Sequence, residues 1–495
     1  MLRWAGLERS VIALVVSACA GMLGYAGLRG VGMPAVVAVT AVLVIGLPAA
    51  CWLALRLPAE LDGMRRTKIP LALIWSLVAL YALIQTGRLT TFMVDPDASQ
   101  NSMDPGDPWL VHHCCLTAYT EGARFASEGR PNVYSEELYA NRRVDSFSVD
   151  LYHYPPTFLL LPMAVHVVAD EGFRAERAVW FSASGLTLML AMGLIAFRVE
   201  REGRLRLIGL APLIWCSMPV LVGLQMSNVQ ILVFATAALS LVLFSGRTPA
   251  GAVALAATMV AKIFPGMIFI YLISRRKWRE VVWTLGAGIA MTILAWIVVG
   301  PASFESFFSY QLPRLSSGEA FARPFAREFA VARNMAPFGI PLKLAALGVP
   351  GMTLGVGRIV SMIYLACIIG LAVWAGRRQP RSGTEAASVW LALVSLGTLA
   401  SPFAPGQYVL VSLVWLVCMD HERFRPLFAV IVWFLVSAPF LVSREAPVLI
   451  QVLTSLPSQV LALGVPAWVL WKSGSAREGE VMQAEVSPLA LRRAG

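Results

Sequence analysis

Residues 152–174 read YHYPPTFLLLPMAVHVVADEGFR. A long polar segment runs into Tyr-Pro-Pro, an apolar run follows, and Asp170, Glu171 and Arg174 close it. Whether this run crosses a bilayer decides on which side every later loop lies. Fifteen helical residues reach about 22 Å, against a hydrocarbon core of about 30 Å, so length argues against a crossing.

The rest of the chain reads as membrane protein. Of 495 residues, 58% are hydrophobic and only 14% charged, where a soluble chain carries roughly a quarter charged. Apolar runs of about 20 residues recur from end to end, as a polytopic all-α bundle requires. The short basic start, Met1 to Arg9, leads into an apolar run without a small-residue cleavage site, so the first helix reads as a retained anchor. The formal charge of +11 is mostly loop arginine, which orients a membrane protein and does not argue for nucleic-acid binding. Cys19, Cys51, Cys216, Cys367 and Cys418 lie in apolar runs, and Cys114-Cys115 is a vicinal pair in a polar segment. The seven cysteines show no metal spacing, although the vicinal pair leaves a zinc or redox role open. No Walker loop, dinucleotide glycine pattern or His-Glu-x-x-His occurs, so no motif suggests ATP or a nucleotide sugar, and no cofactor is expected.

Apolar spans fall near 10–28, 33–55, 69–87, 178–197, 207–224, 228–244, 280–299, 354–376, 387–403, 407–419, 426–442 and 447–471. The segments 154–169 and 249–274 are ambiguous, giving about 12–14 spans in all. Basic clusters flank the spans at Arg56, Arg65, Arg66 and Lys68, at Arg198, Arg201, Arg204 and Arg206, and at Arg275, Arg276, Lys277 and Arg279. Others stand at Arg377, Arg378 and Arg381, at Arg423 and Arg425, and at Lys472 and Arg477. The positive-inside rule assigns all six to the cytoplasm. With the N-terminus inside, the four arginines at 198–206 stay inside only if 154–169 does not cross. By the same logic 249–274 enters and returns, with Lys262 of "AKIFPG" near the outer side. A lysine there faces a cavity or phosphate, or snorkels to the interface.

Two long outer loops remain, 88–153 and 300–353. The first is acidic and holds Asp95, Asp97, Asp104, Asp107, His112, His113, Tyr119 and Glu121. A carboxylate just beyond a span can take the proton of an attacking sugar hydroxyl, although "DPDAS" and "DPGDP" also suit turn caps. Residues 117–139 read as an amphipathic helix along the membrane surface, ended by Gly129, with tyrosines suited to an interfacial belt or to sugar stacking. The second loop carries Arg314, Arg323, Arg327, Arg333 and Lys343, against the positive-inside bias; an anionic ligand or ordinary mixed surface charge would account for them.

In order and spacing, "AYTEGARFASEGRPNVY", "YHYPPTFLLLP", "SNVQILVF", "AKIFPGMIFIYLISRRKWR", "VARNMAPFGIPLKL" and "ASPFAPGQY" resemble glycosyltransferase family 87, the polyprenyl-phosphate-mannose-dependent mannosyltransferases of the GT-C superfamily. The resemblance runs from about residue 69 to about residue 410. It implies a GT-C-type transmembrane core over 57–471 with outer-face juxtamembrane helices, an additional transmembrane pair at 1–56, and a disordered cytoplasmic tail at 472–495. It implies transfer of mannose from a polyprenyl phosphate to a hydroxyl of a lipid-linked or envelope glycan, with inversion, on the outer face of a bacterial cytoplasmic membrane. The essential carboxylate follows the first core span, which points to Asp95, with Asp97 and Asp107 as alternatives. Many relatives carry an aspartate roughly where Cys115 stands here. The expected substrate contacts are His112, His113, Tyr119, Glu121, Tyr154, Asn228, Gln230 and Asn334. Lys262, Arg323, Arg327 and Arg333 are expected on the carrier phosphate. A transporter of a lipid-linked saccharide, or an enzyme using polyprenyl-phosphate arabinose or glucose, shares these features.

Overall fold

The computed structural model describes residues 7–63 and 69–474, with the side chains of 62–74 excepted. The chain is all-α, apart from a two-residue hairpin. An apolar hairpin, α1 (Leu7–Gly30) and α2 (Ala35–Arg56), turns at Gly32, whose φ of 82° suits a residue without Cβ. The core follows with α3 (Ile69–Val94), the short α4 (Pro108–His112), α5 (Leu116–Ser127), the hairpin β1 (Arg143–Val144) and β2 (Phe147–Ser148), and α6 (Leu160–Val168). Next come α7 (Phe173–Arg198), α8 (Arg201–Trp215), α9 (Met218–Gln225), α10 (Gln230–Gly246), α11 (Thr248–Ala261), α12 (Gly266–Ser274) and α13 (Trp278–Val299). A continuous helical stretch over 301–317, with a π-turn at Phe307–Gln311, and short helical turns over 319–332 lead to α14 (Gly339–Ala346), α15 (Leu354–Gly376), α16 (Gly383–Thr398), α17 (Gly406–Met419), α18 (Pro426–Ser437) and α19 (Val448–Lys472).

Each of the twelve apolar segments is helical. Among the described residues, seven helices (α1, α2, α3, α7, α13, α15 and α19) are long and apolar enough to cross a membrane. The pair α8 and α9, bent by 55°, makes an eighth if it counts as one span. The remaining helices are shorter and more enclosed. α16 and α17 are buried along almost their whole length and form the axis of the bundle. α1 packs on α3 and α7 through Leu23, Ala26, Leu89 and Leu188, whereas α2 buries only Ala38.

The basic clusters gather at one end. Arg201 pairs with Glu60, and Arg423 donates to Glu385 at 2.6 Å and to Asp420 at 2.9 Å. Glu200 accepts the amide of Thr384 at 3.0 Å, Arg275 donates to the Arg378 carbonyl at 2.5 Å, and Arg378 to the Ser473 carbonyl at 3.3 Å. Arg65, Arg66, Lys68 and Arg477 lie outside the described residues.

The segment 152–174 stays at the opposite end. It enters beside α5, where the Tyr154 and Tyr119 hydroxyls meet at 3.0 Å. After a 3-10 turn over Pro156–Leu159 and nine residues of α6 it leaves at the same end. There the Asp170 amide donates to the carbonyl of Gly30, which closes α1, at 2.8 Å, and Arg174 reaches Asp145 at 2.7 Å. Gly172, at φ 101°, reverses the chain into α7. The hairpin of α11 and α12 likewise enters and returns, and the Thr157 hydroxyl ties the two segments by donating to the Val260 carbonyl at 2.5 Å.

One expectation changes. α5 does not lie on a membrane surface but sits inside a folded cap, with nine of its twelve residues buried. Tyr119, Tyr139 and Tyr152 are buried in the cap's own core with Phe158 and Trp180 and do not form an exposed belt. The approach is close at Gly122, where a Cβ would stand 3.1 Å from the Tyr152 ring.

Glu202 and Glu137 are exposed at opposite ends. With Cys51 and Cys367 replaced by serine, Glu202→Cys and Glu137→Cys should label with an impermeant maleimide from opposite sides of sealed vesicles. Labelling of both from one side would mean that 154–169 crosses.

Candidate active site

Three breaks in the helical ladder meet at the cap end of the bundle, and a buried side-chain amide sits at each. Between α9 and α10 the chain turns through Ser227 at φ 52°. Asn228 accepts the Gln230 amide at 2.9 Å and points its NH2 at Cys115 Sγ, 3.3 Å away. The Cys115 amide donates to the Met226 carbonyl at 2.8 Å, and Gln225 ties down the Met103 amide and the Leu110 carbonyl at 2.7 and 3.0 Å. Between α11 and α12, Lys262 donates to Gln230 Oε1 at 2.7 Å and lies 5.0 and 5.5 Å from the ring centres of Tyr154 and Tyr408. Between α16 and α17, Asn334 accepts the amides of Ala336 and Ala404 and donates to the Pro402 carbonyl at 2.9 Å. Irregular backbone at membrane depth is tolerated only where it lines a cavity or is satisfied by protein, and here it does both.

The cavity holds about 1910 Å³. Its lining includes Asp104 and Glu445, exposed at the cap, and Ile263 and Met362, exposed on the side of the bundle. His112, His113, Tyr119, Tyr154, Asn228, Gln230, Lys262, Arg323, Arg327 and Arg333 line it, as does Asp107.

Four expected site residues do not line it. Asp95 closes α3 on the flank of the cap, where its carboxylate accepts the Asp97 amide in a turn and lies 3.6 Å from Arg174. Asp97 is drawn to the same arginine at 2.9 Å. Glu121, buried on α5, is paired with Arg124 and Arg142 away from the cavity. Asn334 is buried behind the wall with its amide committed to backbone. The expectation placed Asp95 at the right depth, but depth does not say on which side of the bundle a helix end emerges.

Of the alternatives, Asp107 lines the cavity but has no oxygen to spare. One oxygen caps α4 by accepting the amides of Trp109 and Leu110, and the other holds Arg444. Arg444 is in turn clasped between the rings of Trp109 and Phe329.

Among the carboxylates that line the cavity, Asp104 and Glu445 are exposed at its rim and Asp107 is paired with Arg444, which leaves Asp150, just before the Tyr-Pro-Pro segment. The short hairpin β1–β2 delivers it, and its amide is held by the Thr117 hydroxyl at 3.2 Å. One carboxylate oxygen lies 3.4 Å from His113 Nδ1, while 34% of the side chain stays open to the cavity. His113 Nε2 lies 3.7 Å from Cys115 Sγ, which lies 3.6 Å from the Tyr408 hydroxyl. The His113 ring stacks on Trp109 at 3.9 Å. Burial raises the Asp150 carboxyl to about 7, against the pull of Arg327. Burial, then the charges of Arg444 and Arg327, lower His113 to about 3, so its imidazole is neutral. Burial pushes the Cys115 thiol up to about 12.

The donor atoms of His113, Cys115 and Asp150 lie within 4.8 Å of one another, a set that would suit a borderline cation such as zinc. The surrounding field argues the other way. Arg327 and Arg444 act on His113, Lys262 interacts with Cys115, and such a potential concentrates anions. The trio is better described as a polar cluster, in which His113 is hydrogen-bonded to Cys115 and lies 3.4 Å from one carboxylate beside a cationic wall.

A family model described as glycosyltransferase family 87 matches residues 152–402. No curated protein and no solved structure matches the chain.

The Asp107–Arg444 pair joins the cap to the turn before α19. Asp107→Ala removes the cap of α4 and strands a largely buried guanidinium, so unfolding free energy should fall by on the order of 3 kcal/mol. Chemical denaturation in detergent micelles measures this, and a loss under about 1 kcal/mol would make the pair a surface contact.

Proposed function

The chain belongs to glycosyltransferase family 87, and on that premise we propose that it moves a hexosyl group, mannosyl in the first instance, from a polyprenyl-phosphate sugar to a hydroxyl of a lipid-linked or envelope glycan. The observation that carries the reading is the meeting of Asp150 with a set of cations in one cavity whose lining runs from the cap to exposed apolar residues on the side of the bundle. The basic clusters lie at the far end of the bundle, and the positive-inside rule then favours a cavity on the outer face.

The chemistry follows from the charges. The acceptor hydroxyl gives its proton to Asp150 as its oxygen attacks the anomeric carbon, and the bond from that carbon to the phosphate oxygen breaks with its electron pair leaving on phosphate. A single displacement inverts the centre. The leaving phosphate is already anionic, so it needs cationic stabilisation more than a proton. Lys262, Arg327 and Arg333 supply it, with Arg323 nearer the cap. His113 orients the carboxylate, and Tyr154, Asn228 and Gln230 stand where sugar hydroxyls meet the wall.

Purified protein in lipid, given labelled polyprenyl-phosphate mannose and an acceptor, should form a new glycosidic bond. Asp150→Asn should keep the fold and lower kcat by about 10²–10⁴-fold, while Asp95→Asn stays near wild type. Asp150 works only when ionised, so kcat should rise with pH through about 7, above the ordinary carboxylate value of about 4. Wild-type turnover of Asp150→Asn would remove it from the mechanism. Movement of the lipid without a new bond would make the protein a transporter, and turnover of only the arabinosyl or glucosyl donor would replace the sugar.

A further inference from the structure

A second recess lies at the basic end, far from the catalytic cavity. It occupies about 620 Å³ between the last turns of α12 and α15 and the start of α13. Arg275, Arg276, Arg377 and Arg378 line it with Trp278, and among the described residues no carboxylate does. Two of the four arginines are spoken for: Arg275 by the Arg378 carbonyl, and Arg378 by the Ser473 carbonyl and the Trp374 ring, 3.8 Å below its guanidinium. The side chains of Arg276 and Arg377 have no hydrogen bond or ion pair among the described residues. Arg276 is held at φ 56°, a left-handed conformation that side chains other than glycine rarely adopt, and this seats it in the turn at the rim.

The position fits a lipid and not only a solute. Trp278 and Ile273 are exposed beside the arginines, which is the pattern of a headgroup-level belt with chain-facing residues next to it. Basic pockets between membrane helices on the positive side suit anionic headgroups. We propose that this recess binds the phosphodiester headgroup of an anionic phospholipid of the inner leaflet, with Arg276 and Arg377 as its direct contacts.

Two helices that line this recess also line the catalytic cavity. α12 starts beside the Lys262 break and α15 carries Met362 in the cavity's lining, and the same two helices end at the recess. They touch at Gly376, where a Cβ would stand 2.6 Å from that of Ser274.

The test is lipid retention by native mass spectrometry of the full chain from nanodiscs of mixed phosphatidylglycerol and phosphatidylcholine. Wild type should retain phosphatidylglycerol selectively, less so as ionic strength rises. Arg276→Gln with Arg377→Gln should lower that retention by roughly 30-fold, the worth of two basic residues at a charged surface. Arg276→Lys with Arg377→Lys should keep most of it, and serves if the glutamine pair fails to fold. Equal retention of both lipids by wild type, or unchanged selectivity in the glutamine pair, overturns the proposal. Thermal stabilisation by inorganic phosphate equal to that by phosphatidylglycerol would overturn the lipid as the occupant.

Discussion

Buried side-chain amides at broken helix ends hold this structure in its working form. In hydrocarbon each unpaired backbone group costs several kcal/mol, so a bundle of intact spans would be the easier solution. The chain instead breaks its helices at 226–229, 262–265 and 399–405 and brings the breaks together. Gln225, Asn228 and Asn334 satisfy freed backbone groups, and Gln230 accepts from Lys262. Gln459 of α19 does the same from behind, donating to the carbonyls of Met335 and Ala336 while accepting from the buried Lys343. The cavity exists because these groups allow a bundle to be interrupted without exposing polar backbone to lipid.

Within that frame charge is sorted by commitment. Asp95, Asp97, Asp107 and Glu121 each answer an arginine and serve the architecture. Asp150 answers a neutral imidazole, and its high affinity for a proton is the mark of a carboxylate left underpaired in a poor solvent. Deeper in, Arg177 is fully buried between the rings of Phe92 and Phe147, with one nitrogen on the Phe92 carbonyl. It joins α3, α7 and the hairpin that presents Asp150, so the segment carrying Asp150 rests on a buried cationic anchor outside the cavity.

Much of the fold was legible because bilayer thickness and arginine placement are one-dimensional signals. They gave the twelve helical segments, and they kept both Tyr-Pro-Pro and Lys262 at the cap end. The lateral arrangement was not legible. Asp95 has the depth of a base and the surroundings of a surface ion pair, and only packing separates the two. Asp150 stood two residues before the opening stretch, but its meaning depends on His113 and on Arg327, far along the chain. Arg444 lies in the short loop before α19 and gains its role from Asp107, 337 positions earlier. The tyrosines misled for a related reason. A belt and a cap core have the same composition and differ only in what covers them.

The central claim is that the acceptor hydroxyl is deprotonated at Asp150 opposite a phosphate held by Lys262 and Arg327. An experimental structure with an uncleavable polyprenyl-phosphonate sugar and a hydroxyl acceptor tests it most directly. The account predicts the phosphonate against Lys262 and Arg327, with the acceptor oxygen within hydrogen-bond reach of Asp150, about 2.6–3.2 Å. A headgroup seated on the flank beside Asp95 and Arg174, with the cavity filled by something else, would contradict it.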